Sequence, residues 1–249
     1  MQLLVSVRSA AEVGAALSGG ADIIDAKEPG LGSLGPVPPN VLSAILDRVP
    51  SAHPISVALG DFSRPDDVRN AIESLSIASG RSLTYLKLGF AGVSRSDLIA
   101  TLLESAVAAS VSHLAQPRIV AVAYADAELA GTATPMVISG AAARAGAAGL
   151  LVDTYSKVKG NLLSWLEPEA LASLVAGSRE NGLVAAVAGG LGANDLDAIA
   201  AAGPDVIGFR GAACVGGRAG SVSRGRVRKL REALSRSGSG SIQDAVTAG

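Results

Sequence analysis

The segment Gly19-Gly20-Ala21-Asp22-Ile23-Ile24-Asp25-Ala26-Lys27 decides how this chain folds. Its glycines close a helix-like stretch, because the left-handed C-terminal position of a helix favours glycine. A short apolar run follows at once and ends on charged residues. The same order recurs at Ala145-Gly146-Ala147-Ala148-Gly149-Leu150-Leu151-Val152-Asp153 and at Ala202-Gly203-Pro204-Asp205-Val206-Ile207-Gly208. Each copy marks a helix handing over to a buried strand.

Working outward, runs rich in Val, Ile and Leu occur at Gln2–Val7, Ala21–Lys27, Ile55–Gly60, Thr84–Phe90, Arg118–Ala125, Gly149–Tyr155, Leu183–Gly189 and Val206–Gly211. Amphipathic stretches lie between them, among them Ser9–Ser18, Arg64–Ser79, Ser94–Ser112, Glu167–Asn181 and Ala193–Ala202. Strands alternating with helices imply parallel strands joined by crossovers. Eight such units in 249 residues predict a single (β/α)8 TIM barrel. A doubly wound open sheet is the alternative. The barrel is expected over residues 1–236, and Ser237-Gly238-Ser239-Gly240-Ser241 predicts a flexible C-terminal tail over 237–249.

Composition narrows the function. A mean hydropathy of +0.40 excludes a largely disordered chain. One cysteine, Cys214, excludes an internal disulfide framework and any multi-thiolate metal site. The longest stretch without a charge, Pro29–Leu46, carries Pro29, Pro36, Pro38 and Pro39, which no spanning helix tolerates. Met1-Gln2-Leu3-Leu4-Val5 lacks the basic start of a signal peptide, so a cytoplasmic protein without membrane contact is expected. The eight Arg/Lys against two acids from Val206 to Gly249 read as the solvated face of a last helix, Arg224 to Arg236. With 3% aromatics there is little to stack on bases, and nucleic acid is not an expected partner.

Active sites of such barrels lie at the C-terminal ends of the strands. The chain has only five lysines, and Lys27, Lys87 and Lys157 fall at the ends of the second, fourth and sixth strands. Helical surfaces use arginine instead, so this placement is not a solubility device. Side-chain parity puts Ile23, Asp25 and Lys27 on one face, and Leu151, Asp153 and Tyr155 on another. Alternate strands feed the same interior layers, so Asp25, Lys27, Lys87, Asp153 and Lys157 should surround one cavity. Structural ion pairs alone are weak stabilisers once buried and need fewer groups than this.

A lysine is a poor nucleophile near its ordinary pKa of ~10.4. A second ammonium at ~6 Å, with an effective dielectric of ~20, repels it by about 3 kcal/mol, roughly two pKa units. Burial acts in the same direction and the carboxylates oppose it. One amine of the cluster can then be neutral and form an imine, while its neighbours hold anions and the carboxylates move protons.

Two glycine-rich loops supply the other half of the site. Ala188-Gly189-Gly190-Leu191-Gly192 follows the seventh strand and Phe209-Arg210-Gly211-Ala212-Ala213 the eighth, where barrels present backbone N–H groups to phosphate. Gly189, Gly190, Arg210, Gly211 and Ala212 are therefore candidate phosphate ligands. For Arg210 a second role stays open, pairing with a loop carboxylate. Gly30-Leu31-Gly32-Ser33-Leu34-Gly35 matches a dinucleotide fingerprint, but Glu28-Pro29 separates it from the strand, so it reads as a lid. His53 and His113 lie away from the strand ends, so no metal site or His-based triad is expected. Cys214 reads as packing.

At these residues the chain resembles the (5-formylfuran-3-yl)methyl phosphate synthases of methanofuran biosynthesis. The resemblance rests on Leu3-Leu4-Val5-Ser6, Gly19 to Lys27, Gly32-Ser33-Leu34-Gly35, Tyr85-Leu86-Lys87-Leu88-Gly89, Tyr124-Ala125-Asp126-Ala127, Asp153-Thr154 and Arg210-Gly211-Ala212-Ala213-Cys214. It implies a barrel lyase that condenses two glyceraldehyde 3-phosphates, losing phosphate and water, with no cofactor. It also implies Lys27 as the Schiff-base lysine and Lys87 as a proton acceptor, with Asp25, Asp153 and Lys157 completing the set. A triose phosphate and further copies of the chain in a homo-oligomer are the expected partners. After the seventh strand the family often carries a lysine at the helix start, where this chain has Leu191-Gly192-Ala193-Asn194. Another class I phosphosugar aldolase or isomerase, and a non-catalytic phosphometabolite-binding regulator, are the alternatives.

Overall fold

The computed structural model describes residues 1–79, 83–113, 116–157 and 159–246. Eight parallel strands close into a barrel in chain order: β1 (Gln2–Val7), β2 (Ile23–Ala26), β3 (Ile55–Asp61), β4 (Tyr85–Gly89), β5 (Arg118–Tyr124), β6 (Gly149–Asp153), β7 (Val184–Val187) and β8 (Val206–Phe209). Closure comes from β8 pairing back onto β1, with Gln2 opposite Val206 and Val5 opposite Phe209. The expected barrel is what forms, and that pairing excludes the open sheet.

The helices between the strands are α1 (Ala10–Gly19), α2 (Pro39–Leu46), α3 (Pro65–Ser79), α4 (Ser96–Ser112), α5 (Ala127–Ala130), α6 (Pro135–Arg144), α7 (Pro168–Glu180) and α8 (Leu196–Ala202). Proline opens α2, α6 and α7, where its missing N–H costs no helical bond. Gly20 and Gly203 end α1 and α8 at φ +96° and +67°, the left-handed cap that the sequence repeat predicted.

Strand parity separates two packing zones. On β1, Leu3, Val5 and Val7 face outward into the main core under the helices, while Leu4 and Ser6 line the interior. A smaller interior cluster of Leu34, Ala58, Val122, Tyr124, Ala130 and Leu151 fills one side of the barrel mouth. Ala186 and Ala188 pack against this cluster, and, being small like Gly208, they leave room beside it for a cavity.

After β8 the chain forms a hairpin, β9 (Cys214–Val215) with β10 (Ser221–Val222), and then α9 (Arg224–Val246). The hairpin was not foreseen, since two-residue strands leave no period to read. Cys214, the first residue of β9, is fully buried. The last helix runs across the boundary drawn at Ser237. Extending an established helix costs only a propensity term per residue, so alternating Ser and Gly weakens the helix without ending it. Residues 247–249 of the expected tail lie outside the described residues. Among the described residues, no helix is long and apolar enough to cross a membrane.

Candidate active site

The C-terminal ends of the strands open onto a cavity of about 390 Å³. Asp25, Lys27, Lys87, Asp153 and Lys157 all line it, together with Gly189, Gly190, Gly211 and Ala212. Strands β2, β4 and β6 thus converge as parity required.

Asp25 and Lys87 form a charged pair in its wall. Lys87 Nζ lies 2.6 Å from Asp25 Oδ1, and the Ser6 hydroxyl donates to Asp25 Oδ2 at 2.8 Å. Burial pushes the Asp25 pKa up, but Lys87 and Lys27, with the hydrogen bonds from Lys87 and Ser6, outweigh it and hold the carboxyl below its ordinary value. Across the cavity, Lys157 Nζ donates to Asp153 Oδ1 at 2.9 Å and Thr154 Oγ1 at 3.0 Å, and also to the Thr154 carbonyl. Asp153 is likewise lowered: burial acts against it, while Lys157 and Lys27 and the Thr154 N–H favour the carboxylate.

Lys27 stands between these two pairs. It is 6% exposed and, among the described residues, has no carboxylate oxygen within 4 Å. Burial first, and then repulsion from Lys87 and Lys157, lower its pKa to about 8 against the opposing pull of Asp153 and Asp25. A buried amine flanked by two cations and partly neutral near pH 8 can add to a carbonyl carbon. The two ion pairs beside it can relay protons.

The loops after β7 and β8 hold their shape through glycine. Gly189 adopts φ +111°, and a Cβ there would come within 3.0 Å of Thr154 Cγ2. Gly190 adopts φ +68° with a Cβ position 3.3 Å from Asn161. These positions take no side chain without strain, which leaves bare backbone facing the cavity.

Of the two roles open for Arg210, the structure shows the carboxylate pairing. Its Nη1 and Nη2 bind Glu12 Oε2 and Oε1 at 2.6 and 3.1 Å, a buried fork. The remaining donors go to the carbonyls of Ser6 (3.0 Å), Gly220 (2.6 Å) and Arg218 (3.1 Å). The expectation of Arg210 as a phosphate ligand is corrected on this ground: its guanidinium has no donor left to give.

Sequence reasoning gave no role to the residues that fix the loops, although Asp126, Tyr124 and Ser33 stand in segments that carry the family resemblance. Asp126, 2% exposed, accepts the N–H groups of Tyr155 at 2.6 Å and Ser156 at 2.7 Å, pinning the loop that carries Lys157. The Tyr124 hydroxyl donates to both oxygens of Asp61 at 2.9 and 3.0 Å, and its ring meets Tyr155 edge-on at 5.4 Å. The segment Glu28 to Gly35 crosses the mouth. Ser33 Oγ donates there to the carbonyls of Thr154 (2.7 Å) and Tyr155 (3.1 Å). An isolated Asp or Ser in a loop gives no sign of which amide or carbonyl it will meet.

Comparison with known proteins follows the same line. Residues 3–231 match the family model described as 4-HFC-P synthase. The (5-formylfuran-3-yl)methyl phosphate synthase of Methanothermobacter thermautotrophicus is 36% identical over 236 residues, covering 94% of this chain and 99% of the relative. That of Methanopyrus kandleri is 34% identical, covering 94% and 98%. Among solved structures, phosphoribosyl anthranilate isomerase from Thermus thermophilus superposes with a TM-score of 0.62 over 95% of this chain and 99% of its own, at 15% identity. That likeness speaks to the barrel alone.

Proposed function

The chain belongs to the 4-HFC-P synthase family, and we propose that it condenses two molecules of glyceraldehyde 3-phosphate into 4-(hydroxymethyl)-2-furancarboxaldehyde phosphate. One phosphate and two waters leave, so that carbon, oxygen, hydrogen and phosphorus balance. The observation that carries this reading is Lys27: the buried amine with no carboxylate oxygen within 4 Å among the described residues, and a pKa of about 8.

In the proposed sequence, neutral Lys27 adds to the aldehyde carbon of one triose phosphate and water leaves, forming an imine. The protonated imine withdraws electrons from the adjacent carbon, whose proton passes to a nearby base. The resulting enamine expels phosphate from the next carbon, which becomes the methylene end of an enol. That carbon attacks the ketone form of the second triose phosphate, reached by enolisation of its aldehyde, to make the new carbon–carbon bond. Lys87 with Asp25, and Lys157 with Asp153, are the groups assigned to move protons to oxygen and from carbon. The free hydroxyl of the second unit then closes on the carbonyl of the first, two waters leave to give the aromatic furan, and hydrolysis of the imine restores the aldehyde and the lysine. Bare amides around Gly189–Gly190 and Gly211–Ala212 suit the phosphate ester.

Glyceraldehyde 3-phosphate mixed with the pure protein should generate a furan aldehyde absorbance. Borohydride added during turnover should attach a stable mass to the peptide holding Lys27. A trapped adduct without the chromophore would redirect the reading to another imine-forming aldolase. Chromophore formed at full rate by Lys27→Arg would sink the lysine mechanism.

A further inference from the structure

Two arginines line the cavity, and only one has donors to offer. Arg210 is consumed by Glu12 and three carbonyls. Arg218 lies in the turn Gly217–Ala219 of the β9–β10 hairpin, a segment whose position Arg210 sets by binding the carbonyls of Arg218 and Gly220. Two features of Arg218 stand out.

First, it adjoins a phosphate loop. A Cβ at Gly211 would lie 3.7 Å from Arg218 N and 4.0 Å from its Cβ, so the arginine rises directly beside those amides. Second, it grips the segment crossing the mouth. Its Nη2 donates to the carbonyls of Pro29 at 3.1 Å and Gly32 at 2.6 Å. Those bonds use two of its five N–H groups. Nε and Nη1 have no hydrogen-bond partner among the described residues. The charged groups facing it are Asp153, Glu28 and Arg210.

We propose that Arg218 is the side-chain ligand of the substrate phosphate and, through the same guanidinium, the latch that holds residues 28–35 over the cavity. This deepens the phosphate-ester reading above and rests on it. An anion on Nε or Nη1 orders the side chain that holds Pro29 and Gly32, so occupancy and closure favour one another, and the coupling is reciprocal. The far end of the lid, through Ser33, sits on the carbonyls of Thr154 and Tyr155. Closure therefore reaches the loop that positions Lys157.

Inorganic phosphate is the probe, read by calorimetric titration and by hydrogen exchange of the amides of residues 30–35. In the unaltered protein, phosphate should bind and slow that exchange. Arg218→Gln should weaken phosphate about tenfold or more, the loss of a charge-assisted contact, and abolish the protection. Arg218→Lys should recover part of the affinity but not the protection, since an ammonium cannot reproduce the guanidinium's hold on both the lid and the anion. Ser33→Ala should loosen the lid while changing phosphate affinity less than threefold. Unchanged far-ultraviolet dichroism and melting temperature qualify each variant. Phosphate binding within twofold of normal in Arg218→Gln overturns the proposal. So does a Ser33→Ala loss as large as that of Arg218→Gln, which would make the arginine a lid contact only, and so does an unaltered protein that binds no phosphate. None of these readouts needs turnover. A failure to make the furan aldehyde, with phosphate binding still dependent on Arg218, would refute the reaction and leave the latch standing.

Discussion

Lys87 Nζ and Asp25 Oδ1 meet at 2.6 Å inside the barrel, with side chains 4% and 0% exposed. The contact joins β2 to β4 across the intervening β3. Such a pair costs desolvation on both sides, and its geometry repays that only while both partners are present.

Removing one partner should therefore be far worse than removing both. Asp25→Asn leaves the Lys87 ammonium uncompensated and should destabilise the fold by about 3–5 kcal/mol. That corresponds to a melting temperature roughly 6–20 °C lower for a chain of this size. The double variant Asp25→Leu with Lys87→Met should recover much of the loss without recovering turnover. Acid should act in the same way. The folded pKa values of Asp25 and Asp153 lie below the unfolded value near 3.9, so their contribution is present above that value and is lost as pH falls through the folded ones. An Asp25→Asn protein that melts within 2 °C of the parent would show that the pair does not hold β2 and β4 together.

Lys27 shows the opposite balance. Its amine is lowered to about 8 from 10.5. Below pH 8 both folded and unfolded chains carry the proton, and the fold bears the cost of a buried, repelled ammonium, about 3 kcal/mol by linkage. Between about 8 and 10.5 the unfolded chain binds more protons, so this cost fades and stability rises with pH. Lys27→Met should accordingly raise the melting temperature at pH 7 while abolishing turnover. Activity should follow the neutral amine, with kcat/KM climbing from pH 6 to 9 about an inflection near 8. A flat profile over that range would separate Lys27 from the rate.

The loops proposed to hold phosphate differ in what they tolerate. At Gly211 an added methyl finds ordinary contacts 3.7 Å away, so Gly211→Ala should fold and bind normally. Gly211→Glu adds a negative charge within reach of the anion. At ~5 Å and an effective dielectric of ~20 that repulsion is about 3 kcal/mol, enough to raise KM for a triose phosphate tenfold or more. Gly190, at φ +68° and tight against Asn161, should lose stability on any substitution, alanine included. Initial-rate kinetics on the two Gly211 variants tests this, and equal KM values would place the phosphate elsewhere.

Why some of this was legible and some was not has a physical basis. The strands β1 to β8 announce themselves because barrel strands are buried on both faces and read as unbroken apolar runs. The meeting of Asp25, Lys27, Lys87, Asp153 and Lys157 follows from period-2 alternation on alternate strands, a geometric rule that needs no coordinates. Contacts between distant loops obey no such rule. Glu12 and Arg210 are 198 positions apart. The visible sign is Glu12 itself, a lone acid among Ala10, Ala11 and Val13, which a buried helix face admits only beside a cation. Nothing local says which cation. The contacts of Arg218 with Pro29 and Gly32 were hidden for the same reason.

The Glu12–Arg210 fork gives the sharpest contrast between a strut and a ligand. A phosphate-binding arginine, once removed, would raise KM and leave the fold intact. Arg210 instead binds Glu12, the Ser6 carbonyl on β1 and the hairpin carbonyls of Arg218 and Gly220, all at the junction of α1, β1 and β8. Arg210→Met should strand the Glu12 carboxylate and cost about 3–5 kcal/mol, and Glu12→Gln should strand the guanidinium at similar cost. Pairing the two, Glu12→Gln with Arg210→Met, should cost less than the sum of the single variants, because each single variant already removes the shared contact. The chemistry should respond only indirectly. With the hairpin loosened, Arg218 loses its fixed place beside Gly211, so phosphate affinity should fall less than in Arg218→Gln while the melting temperature falls far more. Thermal unfolding and phosphate titration on the same four proteins separate the roles, and an Arg210→Met chain that keeps its melting temperature but loses phosphate would return Arg210 to the binding site.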